Sequence, residues 1–185
     1  MTLPIVVIGA FAIVAATNGG GSSSNSSPGP GSPLTPSAPP NATRQAAACT
    51  KVLAQLPVQL GTLAPRVVRP NPPTAFVVAW GNPAVILSCG AARPKSLHPG
   101  SSTQYFQNGT VASGPYFDAT KGSGGRTDWI TVDRAAYISI SVPPKYQGST
   151  VLPPLSDAIA KALPAVCGVP DNNGKTSLPL CTQRK

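Results

Sequence analysis

The chain has no glutamate, a single histidine (His98), and five acidic residues, all aspartates: Asp118, Asp128, Asp133, Asp157 and Asp171. General acid–base catalysis draws on histidine or on carboxylates in matched pairs, so this inventory leaves little from which to build a catalytic centre. Asp128 and Asp133 flank a predicted strand, and an odd spacing on a strand points side chains to opposite faces. No G-x-S-x-G elbow accompanies His98, which sits beside Pro99-Gly100 in a predicted loop. Lys121-Gly-Ser-Gly-Gly-Arg126 lacks the G-x-x-x-x-G-K-[ST] order of a phosphate cradle and has no predicted helix behind it. We expect no catalytic residues and no cofactor.

Cysteine is also sparse. The four residues Cys49, Cys89, Cys167 and Cys181 include no C-x-x-C pair, and with one histidine available they make a poor metal site. We expect disulfides in an oxidising compartment. Four cysteines allow three connectivities; we favour Cys49–Cys89, joining a helix to a hairpin, and Cys167–Cys181, closing a C-terminal loop. On the loop-entropy model such bridges stabilise by about 3–4 kcal/mol each.

Charged residues make up only 10% of the chain, yet lysine and arginine number fourteen, for a net charge of +9. None of them precedes Arg44. They are scattered singly, without the Lys/Arg run or aromatic interleaving of a nucleic-acid grip, so no specific nucleic-acid partner is expected. A surplus of this sign does attract anionic lipid or polymer.

The one apolar run of note, Leu3–Ala16, is about 14 residues, or roughly 21 Å as a helix. That is short of the ~20 residues of a bilayer span and suits the hydrophobic core of an export signal. Residues 1–16 are read as a signal-like or membrane-anchor segment, with membrane attachment if they stay uncleaved. Residues 17–43, rich in glycine, serine and proline, bury too little apolar surface to offset their ordering entropy and read as a spacer. Asn25, Asn41 and Asn108 open N-x-S/T triplets.

A folded domain is expected over 44–167, with a disulfide-closed tail over 168–185. Arg44–Leu56 has apolar residues at helical spacing and stops at Pro57. Ala75–Trp80 and Ala84–Ser88 read as a hairpin about a Trp80-Gly81-Asn82-Pro83 turn. Short strands are expected at 105–107 and 115–117, and longer ones at 128–132 and 135–142. A second helix is expected over Leu152–Val166, with Pro153-Pro154 before it. This order predicts an α+β fold, a small antiparallel β-sheet with an N-terminal and a C-terminal helix packed on one face, stapled by disulfide.

Several strings are distinctive together: Cys49-x3-Leu53-x2-Leu56-Pro57, Ala79-Trp80-Gly81-x-Pro83, Cys89-Gly90, Arg93-Pro94, Thr131-Val132-x-Arg134-Ala135 and Leu155-Ser156-Asp157-x-Ile159 running to Leu163-Pro164. The stretch 48–167 thereby resembles an uncharacterised family of actinobacterial exported or membrane-anchored proteins known as a domain of unknown function. Asn82 and Ser88 depart from that pattern, where aspartate and arginine are common. The resemblance implies an envelope location and an N-terminal membrane segment, and no activity.

What remains is recognition. Trp80, Asn82, Arg93, Arg126, Trp129 and Arg134 are the candidate ligand-binding residues, since aromatic faces suit sugars or peptides and guanidinium forks suit carboxylate or phosphate. The expected function is a non-enzymatic binding or scaffolding module, extracytoplasmic, whose partner is a cell-envelope protein, glycan or anionic polymer. Two other readings stand beside it: a cell-wall enzyme using His98 and an aspartate, and a charge-driven binder of anionic envelope polymer.

Overall fold

The computed structural model describes residues 32–98, 101–106, 108–109 and 114–166. Seven strands form one antiparallel sheet in the order β1-β2-β3-β7-β6-β5-β4. They are β1 Pro65–Arg66, β2 Val77–Trp80, β3 Val85–Cys89, β4 Gln104–Tyr105, β5 Tyr116–Lys121, β6 Thr127–Thr131 and β7 Ile138–Val142, with helices α1 Ala46–Leu53 and α2 Gly148–Ala162. The α+β expectation holds.

The register sorts the side chains into two faces. Val85, Leu87 and Cys89 alternate with half-buried Ile86 and Ser88, and Ile138, Ile140 and Val142 alternate with half-buried Ser139 and Ser141. The first set, with Trp80, Trp129 and Phe117, forms the core against Cys49 and Val52 of α1 and Val151, Leu152, Leu155 and Ile159 of α2. Period-2 alternation thus puts the apolar set under both helices. Cys49 and Cys89 are joined, Cα to Cα 5.5 Å, which ties α1 to β3 as expected. The second expected bridge, Cys167–Cys181, lies outside the described residues.

Several boundaries differ from the sequence reading. Helix α2 begins at Gly148 rather than Leu152, so Pro153 and Pro154 sit inside it. Proline withholds an N–H from the carbonyl four residues back. Those carbonyls belong here to Ser149 and Thr150, which are exposed to water, while Val151 and Leu152 bury the first turn. The helix ends at Ala162 rather than Val166 because Pro164 forces Leu163 into extended backbone (φ −133°, ψ 120°). Strand β7 starts at Ile138, since Asp133–Tyr137 is a turn in which Thr131 Oγ1 donates to Ala136 O and accepts from Ile138 N–H.

The proline-rich tract read as spacer is, from residue 32 onward, an extended strap along the sheet edge. Leu34 and Ser37 bridge Val68 and Asn71 in parallel, and Leu34 and Ala38 donate to Val67 O and Asn71 O. The strap covers the edge of the segment that continues from β1, and its prolines, which lack an N–H, extend the sheet no further. It ends with Asn41 N–H on Gly90 O and Asn41 Nδ2 on Ala91 O. Asn41 is 8% exposed, so its glycosylation triplet is closed in the folded chain. Among the described residues no helix is long and apolar enough to cross a membrane. Residues 1–31 and the tail beyond 166 lie outside the described set.

Candidate functional site

The strand directions give the sheet two ends. The β2–β3 turn, the β5–β6 tip, the entry to α2 and the start of the strap at Ser32 lie at one, labelled the tether end only because the strap begins there. The exits of β3 and β6, the start of β7 and the end of α2 lie at the other, the distal end. A five-residue strand separates them by roughly 16 Å.

The six candidate residues divide between these ends and the core. Trp80 is 3% exposed, and its Nε1 donates to Pro57 O and Val58 O at 3.2 and 3.1 Å. It fastens the segment after α1 to β2, and what little of it is exposed lies in the wall of a cleft with Leu53, Leu56 and Val58. Trp129, 9% exposed, lies in the same core with Phe106 edge-on to it at 5.1 Å. Asn82, at the tether end, is exposed and accepts a bond from Lys145 Nζ through its carbonyl.

Arg126 reaches from the β5–β6 tip onto the neighbouring strand ends. Its Nε donates to Ser141 Oγ at 2.7 Å, and its Nη2 to Ala84 O and Ser141 O at 2.7 and 2.8 Å. Burial draws its pKa below the usual arginine value, against the opposing pull of Asp128. Arg134 is fully buried in the β6–β7 turn, where its Nη1 pairs with Asp133 Oδ2 at 2.6 Å and bonds Asp133 O. Asp133 Oδ1 in turn accepts Tyr116 N–H. Both arginines hold the frame together.

Arg93 is different. It is half-buried, its Nε is shielded from solvent, and it makes no hydrogen bond or ion pair with any described residue. Buried polar atoms are partnered in nine cases out of ten or more. Trp129 Nε1 and Arg134 Nε also lack an acceptor among the described residues, but Arg134 places its Nη1 on Asp133, whereas the whole Arg93 guanidinium has no acceptor among them.

The loop carrying Arg93, residues 91–98, is fixed at several points. Gly90 and Ala91 N–H both donate to Tyr137 O, and Leu97 N–H closes a turn on Pro94 O. Leu97 is buried with Ala91, Val132 and Tyr137 in a small second core on the helix-free face of the sheet. Ser96 Oγ donates to Asp118 Oδ2, and Ser101 Oγ accepts His98 N–H while donating to Ser96 O. Gly90 permits all this: its φ is +93°, and a Cβ there would lie 2.7 Å from Ala42 N.

Lys95 and His98, exposed on the same loop, flank Arg93. The carboxylates of this end are buried: Asp118 under Ser96, Asp133 on Arg134, and Asp157 accepting Asn108 N–H. Among the described residues the charged side chains left on this loop, Arg93 and Lys95, are cationic. By contrast, Arg66, Lys145 and Arg126 at the tether end are turned onto main-chain carbonyls. His98 and Asp128 lie towards opposite ends, Asp128 being paired with Ser141 and Thr120 near the β5–β6 tip. Among the described residues no group of three or more His, Cys, Asp or Glu side chains stands ready for a metal.

The family model for proteins of unknown function, DUF3515, matches residues 1–167. The chain belongs to this family. No curated protein and no solved structure matches it. The DUF3515 match includes Arg93 and the whole loop that presents it, and it stops where the C-terminal tail begins. Sequence reading named Arg93 among six equals. What it missed were the supports that single it out, Gly90, Asn41, Ser96 and Ser101, because each acts through a contact made only in the fold.

Proposed function

We propose that this DUF3515 chain is an extracytoplasmic, non-catalytic module that binds a cell-envelope component at its distal end, through the loop 91–98. The observation that carries the reading is the half-buried guanidinium of Arg93, unpartnered among the described residues, on a loop already fixed in place. A loop ordered before binding spares the ligand that entropic cost. The Cys49–Cys89 disulfide agrees with an oxidising compartment. Residues 1–16 act as signal or anchor in this reading. Ser32 O is held by Arg66 Nη2 at the opposite end of the sheet from the loop 91–98.

The test is amide chemical-shift mapping on the oxidised soluble chain, titrated separately with solubilised wall glycan fragments and with anionic phospholipid vesicles. Saturable shifts confined to residues 91–98 and their supports, lost in Arg93→Ala, are expected with one of the two. Shifts concentrated at Asn82 and Lys145, or binding unchanged in Arg93→Ala, would overturn the reading.

A further inference from the structure

We infer that the group gripped by this loop is an oxyanion, a carboxylate or phosphate carried by the envelope component, held in the fork of Arg93. The inference rests on the distal-end reading above and adds the chemistry of the ligand. Three features of the loop converge on it.

The first is the donor set. A guanidinium offers five N–H groups and no acceptor, in a plane that matches two oxygens of a carboxylate or phosphate. No described carboxylate has taken that place beside Arg93. The second is the turn next to it. In Pro94–Leu97, closed by Leu97 N–H on Pro94 O, the corner N–H groups of Lys95 and Ser96 have no acceptor among the described residues. Successive free N–H groups at a turn make a concavity suited to an anion. The third is the field. Lys95 stands exposed on the same loop, and Arg44 is held nearby by Asn41, whose Nδ2 caps Ala91 O. The Asp118, Asp133 and Asp157 carboxylates are sunk and engaged.

A neutral sugar hydroxyl would leave the guanidinium charge uncompensated where its Nε is already out of water. A cation would be repelled. An oxyanion meets the fork, the turn N–H pair and the local charge together.

Inorganic phosphate and acetate serve as separate probes on the oxidised full chain, at constant ionic strength against a chloride control. The readouts are the Arg93 Nε–H resonance and the backbone amides of Lys95 and Ser96. A saturable shift of all three with one probe is expected, and the stronger of the two arms tells phosphate from carboxylate. Arg93→Lys, which keeps the charge and loses the fork, is expected to weaken binding about tenfold, equivalent to about 1.4 kcal/mol. Its Tm shows whether the variant is folded, and Lys95→Ala, on an exposed side chain, provides a second, weaker loss.

Shifts no larger than those in chloride, or binding by Arg93→Lys as tight as by the native chain, would overturn the inference. If wall glycan or vesicles perturb the loop while neither anion does, the oxyanion assignment alone falls. If an anion binds and neither envelope preparation does, the distal-end function falls and the anion site stands.

Discussion

At the scale of single residues, the arginines separate by what they touch. Arg126 bonds Ser141 and Ala84 and Arg134 Nη1 bonds Asp133, whereas Arg93 makes no hydrogen bond to a described residue. Truncating Arg126 strands Ala84 O and Ser141 at the strand ends. Hydrogen bonds from charged donors are worth about 1.5–3 kcal/mol each before solvent screening, so Arg126→Ala should cost about 1–2 kcal/mol in urea unfolding and leave loop 91–98 unperturbed. Arg126→Lys should recover little of it, because an ammonium cannot span Ser141 and Ala84 as the planar fork does. A full rescue by lysine would show that charge alone matters there. These roles were beyond the sequence. Trp80 stands beside turn residues and reads as a recognition group, yet its indole N–H belongs to Pro57 O and Val58 O, a pairing across more than twenty residues that no local pattern announces.

At the scale of elements, the long apolar strands and both helices were legible because period 2 and period 3.6 are written directly in the side chains. The β2–β3 hairpin and the β5–β6 tip follow from local signals, while the Cys49–Cys89 bridge was the favoured one of three open connectivities. The short elements were not legible. β1 is two residues in a proline-punctuated stretch, and it exists because Pro65 and Arg66 lie opposite Trp80 and Ala79. Likewise the first residue of α2 packs closely on Trp129, whose Cζ2 would sit 3.1 Å from a Cβ at Gly148.

The bridge between α1 and β3 is also where the elements depend most on one another. Its two ends are 40 residues apart, a loop whose closure entropy corresponds to about 4 kcal/mol on the chain-entropy model. The double variant Cys49→Ala/Cys89→Ala should lose about 2–4 kcal/mol by urea unfolding. A loss under ~0.5 kcal/mol would mean that the burial of α1 in the shared core holds this junction unaided.

At the scale of the whole molecule, the strap connects the tether end to the binding loop. It begins at Ser32 beside Arg66, runs along Val67–Asn71, and finishes with Asn41 holding both Gly90 O and Ala91 O. Composition alone marks it as spacer, and physically it is one until the segment that continues from β1 offers it carbonyls and N–H groups. Because Asn41 fixes the root of loop 91–98, the strap contributes to the site as well as to stability. Asn41→Ala removes the side-chain bond to Ala91 O and the hold on Arg44 while leaving the backbone bond to Gly90 O in place. The expected result is a stability loss of about 1–2 kcal/mol, the typical effect of unpairing a buried acceptor, seen as a Tm drop of several degrees. Hydrogen exchange should accelerate at Gly90–Leu97 and hardly change at Leu34 and Ala38. Binding at Arg93 should weaken in step with that acceleration, since a looser loop must be ordered again by its ligand. Faster exchange throughout the strap, with loop 91–98 as protected as before, would mean that Asn41 seals the sheet edge and plays no part in positioning the site.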